Sequence, residues 1–545
     1  MSLLAYVGPA GGLPVNSSES LSAAWRKIDA PVVGTPEETA KGVERTLGVE
    51  VRVERQFELF APQDEPMFPS QWDLENTGQT DGLPDADVDA IKAWQVGLGT
   101  GVVVAIVDSG VDESIPELDD QIAPGGWDFV DWDDDPNPVG SNFLEAHASM
   151  VAGVVAAELN AVGITGVAPQ SKILNLRACH NGSCGELEVA LAVAYAVDNG
   201  ADIISLSFGG LTPREESSPL ADAIEYARQN NVLVVAAAGN AGLDIDDLGD
   251  QTISPAGYPH ANILSVAATS DTDSLASFSN YGTTSVDIAA PGVDILTTGG
   301  AGLAEYMYGT GTSFSAPLVS GIAALLLSHD SGIGYQELIA RVEGFADRPS
   351  SLTSFVEKGR INAGTTMTMR FIDTSGSLFV NAIDWLAQES ITEGCNPPFN
   401  HMYCPEGRVT RGEMAVFLSR AFELPATATD YFTDDKGLFY EGAANRLAEA
   451  GLTVGCGPSQ YCGGREIDRG EFAAMLARAL SLPPSTVDHF TDDDGSLFEN
   501  AINKIAQAGL TEGCNPPASD RFCPTQKVSR GQMAAFIKRA VSFAG

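Results

Sequence analysis

Val102-Val-Val-Ala-Ile-Val-Asp-Ser-Gly110 decides how the longest part of this 545-residue chain folds. Six consecutive apolar residues run into an acid, a serine and a glycine. A run apolar on both faces offers no side to water, so it belongs inside a parallel sheet covered by helices. Similar runs at 173–176, 203–206, 232–238 and 263–267 alternate with helical stretches. The alternation predicts an α/β domain over residues 70–364, a doubly wound parallel sheet with helices on both faces. In such sheets sites form at the carboxyl ends of strands, so Asp108 and, beyond Ala238, Asn240 are expected to face one crevice.

Two further segments carry polar groups of catalytic type. His147 is expected to open the helix His147-Ala-Ser-Met-Val-Ala-Gly-Val-Val-Ala-Ala157. Gly311-Thr-Ser-Phe-Ser-Ala-Pro317 leads into another apolar helix, with Pro317 expected in its first turn, where a missing N–H does no harm. A serine nucleophile needs a base within reach and a third group to hold that base. Asp108, His147 and Ser313 supply all three, and the Asn240 amide can donate to an oxyanion. Taken singly, Asp-Ser-Gly is an ordinary strand-end turn and a histidine at a helix start an ordinary cap. All four in this order, with their flanks, resemble the subtilisin-like serine peptidases, the subtilases.

The resemblance covers residues 70–364. It implies Ser313 as nucleophile, His147 as general base and acid, Asp108 as the group that fixes the imidazole, and Asn240 with the Ser313 N–H as oxyanion hole. After His147, Ala148, Ser149 and Met150 depart from the family's usual Gly, Thr and second His, and none of these changes removes a triad member. Ser183-Cys-Gly185 and an edge strand at Ser207-Phe208-Gly209 match the strands that flank an extended peptide. Ile253 falls near the base of the first specificity pocket and favours an apolar side chain, whereas Asp244, Asp246 and Asp247 in the same loop would attract a basic one. Asp128, Asp131, Asp133 and Asp135 crowd a loop before His147. Hard oxygen ligands suit calcium, and some subtilases bind it on this stretch. The alternative is a solvated acidic loop. The chemistry itself calls for no cofactor. The family's catalytic domain follows an inhibitory prosegment, so residues 1–69 read as a prosegment remnant, loose over the first twenty and helical over 35–47.

Composition narrows the remaining roles. Acids outnumber bases 73 to 30, a net charge of −43, which repels nucleic acids and anionic lipid surfaces. No unbroken run of 18 apolar residues exists, so no transmembrane segment is expected, and no signal peptide is visible at the N-terminus. The eight cysteines fall into four close pairs, Cys179/Cys184, Cys395/Cys404, Cys456/Cys462 and Cys514/Cys523. Local disulfides are the economical pairing, and they imply an oxidising compartment. Reduced buried thiols are the alternative. Metal ligation fails for want of four ligands per site.

Beyond a linker at 365–370 the chain repeats. Phe371-Ile-Asp373, Phe432-Thr-Asp434 and Phe490-Thr-Asp492 recur at offsets of 61 and 58, a period that signals stacked helical units over 371–428, 429–488 and 489–545. Each unit ends in a helix headed by a capping-box pair: Thr410/Glu413, Asp468/Glu471 and Ser529/Gln532. Arg411, Arg469 and Arg530 sit in the first turn, where the helix dipole disfavours a cation. Their recurrence points to a bound anion, or else to an arginine tied to a neighbouring acid such as that of Phe-x-Asp. The units resemble S-layer homology repeats, with Gly for the usual Ala and with Cys pairs that only some members have. That resemblance implies acidic cell-wall polysaccharide as a partner and these arginines as its ligands. The expected protein is thus a secreted serine endopeptidase that cleaves peptides or proteins and is held at the cell wall. The alternative is a catalytically idle, wall-associated structural or adhesive protein.

Overall fold

The computed structural model describes residues 2–6, 25–29, 51–53 and 62–544, apart from 215–217, 375–376, 398–399 and 516–517. Within residues 1–61, strands β1 (Ser2–Tyr6), β2 (Trp25–Asp29) and β3 (Val51–Val53) form an antiparallel sheet in the order β2-β1-β3. The expected loose start is therefore a strand at 2–6, because its short apolar run pairs residue for residue with 25–29. The helix expected over 35–47 lies outside the described residues.

Residues 62–545 form a separate unit. Its centre is a seven-stranded, all-parallel sheet in the order β14-β13-β11-β9-β4-β6-β5. The strands are β4 (Val103–Asp108), β5 (Trp127–Asp128), β6 (Lys172–Arg177), β9 (Ile203–Leu206), β11 (Leu233–Ala237), β13 (Ile263–Thr269) and β14 (Ile288–Pro291). Among the described residues, three small antiparallel pairs complete the strands: β7 (Cys179–His180) with β8 (Ser183–Cys184), β10 (Gly210–Pro213) with β12 (Gln251–Ser254), and β15 (Ile295–Thr298) with β16 (Tyr306–Gly309).

Alternate strand residues go to opposite faces, as the pleat requires. Val104, Ile106, Val235 and Val266 pack with helices α2 (Phe143–Ala156) and α5 (Thr312–His329) on one face. Ala105, Val107, Leu174 and Val234 pack with α3 (Glu186–Asp198) and α4 (Pro219–Gln229) on the other. Short helices α1 (Ala90–Trp94), α6 (Tyr335–Gly344) and α7 (Ala363–Thr368) close the first layer. Helix α5 is long and apolar enough to cross a bilayer, but it is the central core helix, with Thr312 to Leu326 all buried.

A second apolar core runs from Phe371 to Ala540. Its helices alternate as α8 (Val380–Gln388), α9 (Arg411–Ala421), α10 (Glu441–Glu449), α11 (Arg469–Ala479), α12 (Glu499–Gln507) and α13 (Arg530–Ala544). The three units close into a ring. The Val409 N–H donates to the Val528 carbonyl (3.0 Å), Val528 to Ile467 (3.2 Å), and Ile467 back to Val409 (2.9 Å).

The four local cysteine pairs are disulfides in the structure: Cys179–Cys184, Cys395–Cys404, Cys456–Cys462 and Cys514–Cys523. The loop that the Cys456–Cys462 bridge closes is the shortest of the three in the repeats, with a separation of 6 residues against 9 in the other two. All three second cysteines take a left-handed backbone that the sequence reading did not anticipate, with φ +58° at Cys404, +55° at Cys462 and +57° at Cys523.

Candidate active site

Asp108 is the last residue of β4 and is 4% exposed. Its Oδ1 accepts the Ser109 N–H at 2.7 Å. His147 reaches it from α2, whose start lies earlier than the sequence reading placed it. The Asn142 side chain accepts from the Leu144 and Glu145 N–H groups and begins the helix there, which puts His147 in the second turn. Nδ1 of His147 lies 3.0 Å from both carboxylate oxygens of Asp108. Burial pulls the imidazole pKa down, but the Asp108 charge and hydrogen bond outweigh it, leaving the value above the usual 6.5.

Ser313 is the second residue of α5. Its hydroxyl donates to the Ser207 carbonyl at 2.8 Å. The Phe314 ring meets the His147 ring edge-on, with centroids 5.9 Å apart. Pro317 lies in the second turn, not the first, because the helix begins at Thr312. It therefore cannot donate to the Ser313 carbonyl four residues back.

Asn240 follows β11, and the residue that orients it was not singled out from sequence. Thr312 donates to the Asn240 Oδ1 with its N–H (2.8 Å) and its hydroxyl (3.0 Å), and its oxygen accepts the Gly239 N–H at 3.1 Å. With Oδ1 claimed twice, the Nδ2 donor is left for another acceptor. Gly311, at φ +152°, gives it room: a Cβ there would stand 3.3 Å from Nδ2.

Ser207-Phe208-Gly209 is not an edge strand. Beyond Leu206 the chain leaves the sheet, and pairing resumes only at Gly210, with β12. Ser183 lies in β8, and Gly185 precedes α3 as its N-cap. Ser183, Phe208 and Gly209 line one cleft of about 420 Å³, with Cys184 and Tyr258, while Ser207 and Gly185 lie outside its lining. Ile253 is buried on β12, and a Cβ on Gly209 would come within 3.3 Å of its Cγ2. Asp246 is taken up by the neighbouring turn, accepting from the Thr284 hydroxyl at 2.7 Å and its N–H at 3.1 Å. Asp244 accepts the Asp246 N–H at 3.1 Å.

The four carboxylates expected to hold calcium do not gather on one point. Asp128 and Asp131 both accept from the buried Arg177 guanidinium, the second at 2.7 Å. Exposed Asp133 and Asp135 take loop N–H groups of Asp135 and Asn137. With a guanidinium already on the two nearer carboxylates, the set as it stands does not fit a cation.

Arg411, Arg469 and Arg530 are 3%, 4% and 5% exposed. Each Nε donates to a carbonyl of another repeat: Arg411 to Tyr461, Arg469 to Phe522 and Arg530 to Tyr403. Each guanidinium also lies over that residue's ring, at 5.0, 4.8 and 4.9 Å. Arg411 reaches Glu471 at 3.3 Å and Arg530 reaches Glu413 at 2.9 Å, acids of the capping boxes on the next helix. These arginines are buried joints between repeats rather than exposed anion ligands. The Phe-x-Asp acids serve a different purpose. Asp373, Asp434 and Asp492 each accept two backbone N–H groups, one of them from the second cysteine of their own repeat, Cys404, Cys462 or Cys523.

Residues 99–341 match the family model described as the Subtilase family. The chain is 41% identical over 279 residues to the Thermophilic serine proteinase of Bacillus sp. (strain AK1), which spans 51% of this chain and 64% of that protein. It is 39% identical to Thermitase of Thermoactinomyces vulgaris, spanning 51% of this chain and 92% of that protein. To the Major intracellular serine protease of Bacillus subtilis it is 38% identical, over 48% of this chain and 81% of that protein. The sheet topology, the Asp108–His147 contact and these likenesses together make the chain a member of the subtilase family of subtilisin-like serine proteases.

Proposed function

We propose that the chain is a secreted endopeptidase that cleaves polypeptides through an acyl-enzyme on Ser313, and that its repeats attach it to acidic cell-wall polysaccharide. The observation that carries the first part is the pairing of a clamped base with a clamped donor. Asp108 holds His147 by Nδ1, which leaves Nε2 as the base, and Thr312 holds Asn240 by Oδ1, which leaves Nδ2 as the donor.

An extended peptide lying along 207–209 brings an N–H that can compete for the Ser207 carbonyl. The Ser313 hydroxyl then turns from that carbonyl to His147. His147 Nε2 takes the hydroxyl proton as Oγ attacks the scissile carbonyl, and Asp108 stabilises the imidazolium. Asn240 Nδ2 and the Ser313 N–H, at the start of α5, donate to the oxyanion. His147 returns the proton to the leaving amine. Water then attacks the acyl-enzyme by the same route in reverse. Casein hydrolysis by the purified chain beside Ser313→Ala tests this reading, and equal rates from the two would overturn it.

Wall attachment draws on the S-layer resemblance and on a cleft of about 360 Å³ between repeats, lined by Glu393, Glu413, Arg420, Phe439 and Arg530. Arg530 is already held by Glu413, so the partly exposed Arg420 beside the Phe439 ring is the pairing that suits an acidic sugar. Co-sedimentation of Ser313→Ala with purified walls, before and after acidic polysaccharide is stripped, is the test. Binding that survives stripping would overturn it.

A further inference from the structure

Each repeat opens with the same turn, yet one position in it changes chemistry. Three residues past the repeat phenylalanine stand Thr374, Asp435 and Asp493. All three are 0% exposed. The backbone around them is the same: their carbonyls accept from the N–H of Ser377, Leu438 and Ser496, each at 2.9 Å. In the first repeat the Thr374 hydroxyl donates to the Phe371 carbonyl at 2.7 Å. An ionised carboxylate cannot donate, and beyond the N–H of its own residue neither the Asp435 nor the Asp493 carboxylate has a hydrogen-bond partner. Two buried acids met by so little are costly unless something positive sits on them.

The neighbouring positions change together with these. Two residues before the phenylalanine the repeats carry Met369, Asp430 and Asp488, and nine after it Val380, Glu441 and Glu499. The strongest charges acting on Asp435 are Asp430, Glu441 and Asp434, and those on Asp493 are Asp488, Glu499 and Asp492, so every one is a carboxylate. In the first repeat the buried acid and both outer acids are missing at once. Glu441 and Glu499 each spend one oxygen on a loop N–H, of Gly437 at 2.7 Å and Gly495 at 2.9 Å, which fixes them beside the turn.

We propose that the second and third repeats each bind a hard divalent cation, calcium by the carboxylate oxygens offered, on Asp435 and Asp493, and that the first repeat does not. Asp430 with Glu441, and Asp488 with Glu499, supply the negative field that draws the ion in. The site is distinct from the acidic loop before His147 and from the peptidase chemistry.

The test uses the full chain. Calcium bound at saturation is counted by equilibrium dialysis for the wild type and for the double variant Asp435→Thr, Asp493→Thr, and unfolding of both is followed with and without calcium. Thr374 already fills this position in the same turn, so the variant is built to fold. The expected result is two fewer ions per chain, and loss of a calcium-dependent rise in the repeats' unfolding temperature. Equal ion counts and equal calcium responses would overturn the proposal and leave the two acids protonated. If the double variant does not fold, each single variant must lose one ion, and a single variant with an undiminished count overturns it as well.

Discussion

In the sheet domain, side chains from residues 108, 147, 240 and 313 converge where strands and helices end, and their polar atoms are only partly matched. His147 has one nitrogen held, Asn240 one end held, and the Ser313 hydroxyl rests on a carbonyl. The arginine joints of the repeat ring do the opposite. They are nearly sealed from water, and apart from Arg411 Nη2 their heads lie on carbonyls, rings and, for Arg411 and Arg530, carboxylates of the next repeat. A buried polar side chain thus serves reaction in one region and assembly in the other, and what separates them is whether the neighbours leave a donor or acceptor open.

The comparison breaks first at Ser313. Ser313→Ala should lower kcat by about 10⁶, equivalent to about 8 kcal/mol, and leave the unfolding temperature unchanged. Next come the joints. Arg530→Ala removes the cation facing Glu413 and should destabilise the ring by about 3–5 kcal/mol, read as a lower denaturation midpoint with casein turnover unchanged. For Arg469 the corresponding position on the next helix is Gln532 rather than Glu, and burial lowers the Arg469 pKa to about 10. Arg469→Met should therefore cost only about 1–2 kcal/mol, the worth of its bonds to the Phe522 and Gly513 carbonyls. Equal losses at the two positions would mean that ring stacking, not the carboxylate, holds the joints. Then Asn240→Ala should cost about 10²–10³ in kcat with little change in KM, since the donor acts on charge that develops only in the transition state.

How far these outcomes could be read from sequence differs between the two regions for a physical reason. Asp108 ends one buried strand and Asn240 follows another, and a strand end in a parallel sheet has a fixed place, so their convergence was legible. The three capping boxes were legible too, because capping is local. So was the cysteine pairing, where each partner lies within ten residues. The left-handed turn at Cys404, Cys462 and Cys523 was not, since the aspartates that accept their N–H groups lie 31, 28 and 31 residues earlier. The earlier start of α2 was within reach, through Asn142 and Glu145 three residues on. Burial of the repeat arginines was hidden, because the rings that cover them come from other repeats, 50 to 127 residues away. For the same reason Arg177, whose partners Asp128 and Asp131 lie 49 and 46 residues off, was invisible. The choice between a cation site and a solvated acidic loop stayed open in the sequence, because the guanidinium that takes up Asp128 and Asp131 sits in a distant strand. Thr312 was quoted within its motif, but its hold on Asn240 depends on a loop 72 residues earlier.

The small pH shift of the wild type sharpens the comparison most, because it measures how tightly Asp108 holds His147. His147 must be neutral to take the Ser313 proton, so kcat/KM falls as pH drops through its pKa. That pKa is raised above 6.5 because the Asp108 charge and hydrogen bond outweigh burial. At pH 6.5 more than half of the imidazole is then protonated, and kcat/KM for a small peptide ester should be less than half its plateau. Asp108→Asn removes both raising influences and leaves burial, so the acid limb should move below pH 6.5 while the plateau falls by about 10⁴ as the imidazole loses its tautomer. A wild-type limb already below 6.5 would show that burial outweighs the carboxylate, and that Asp108 orients the ring without charging it.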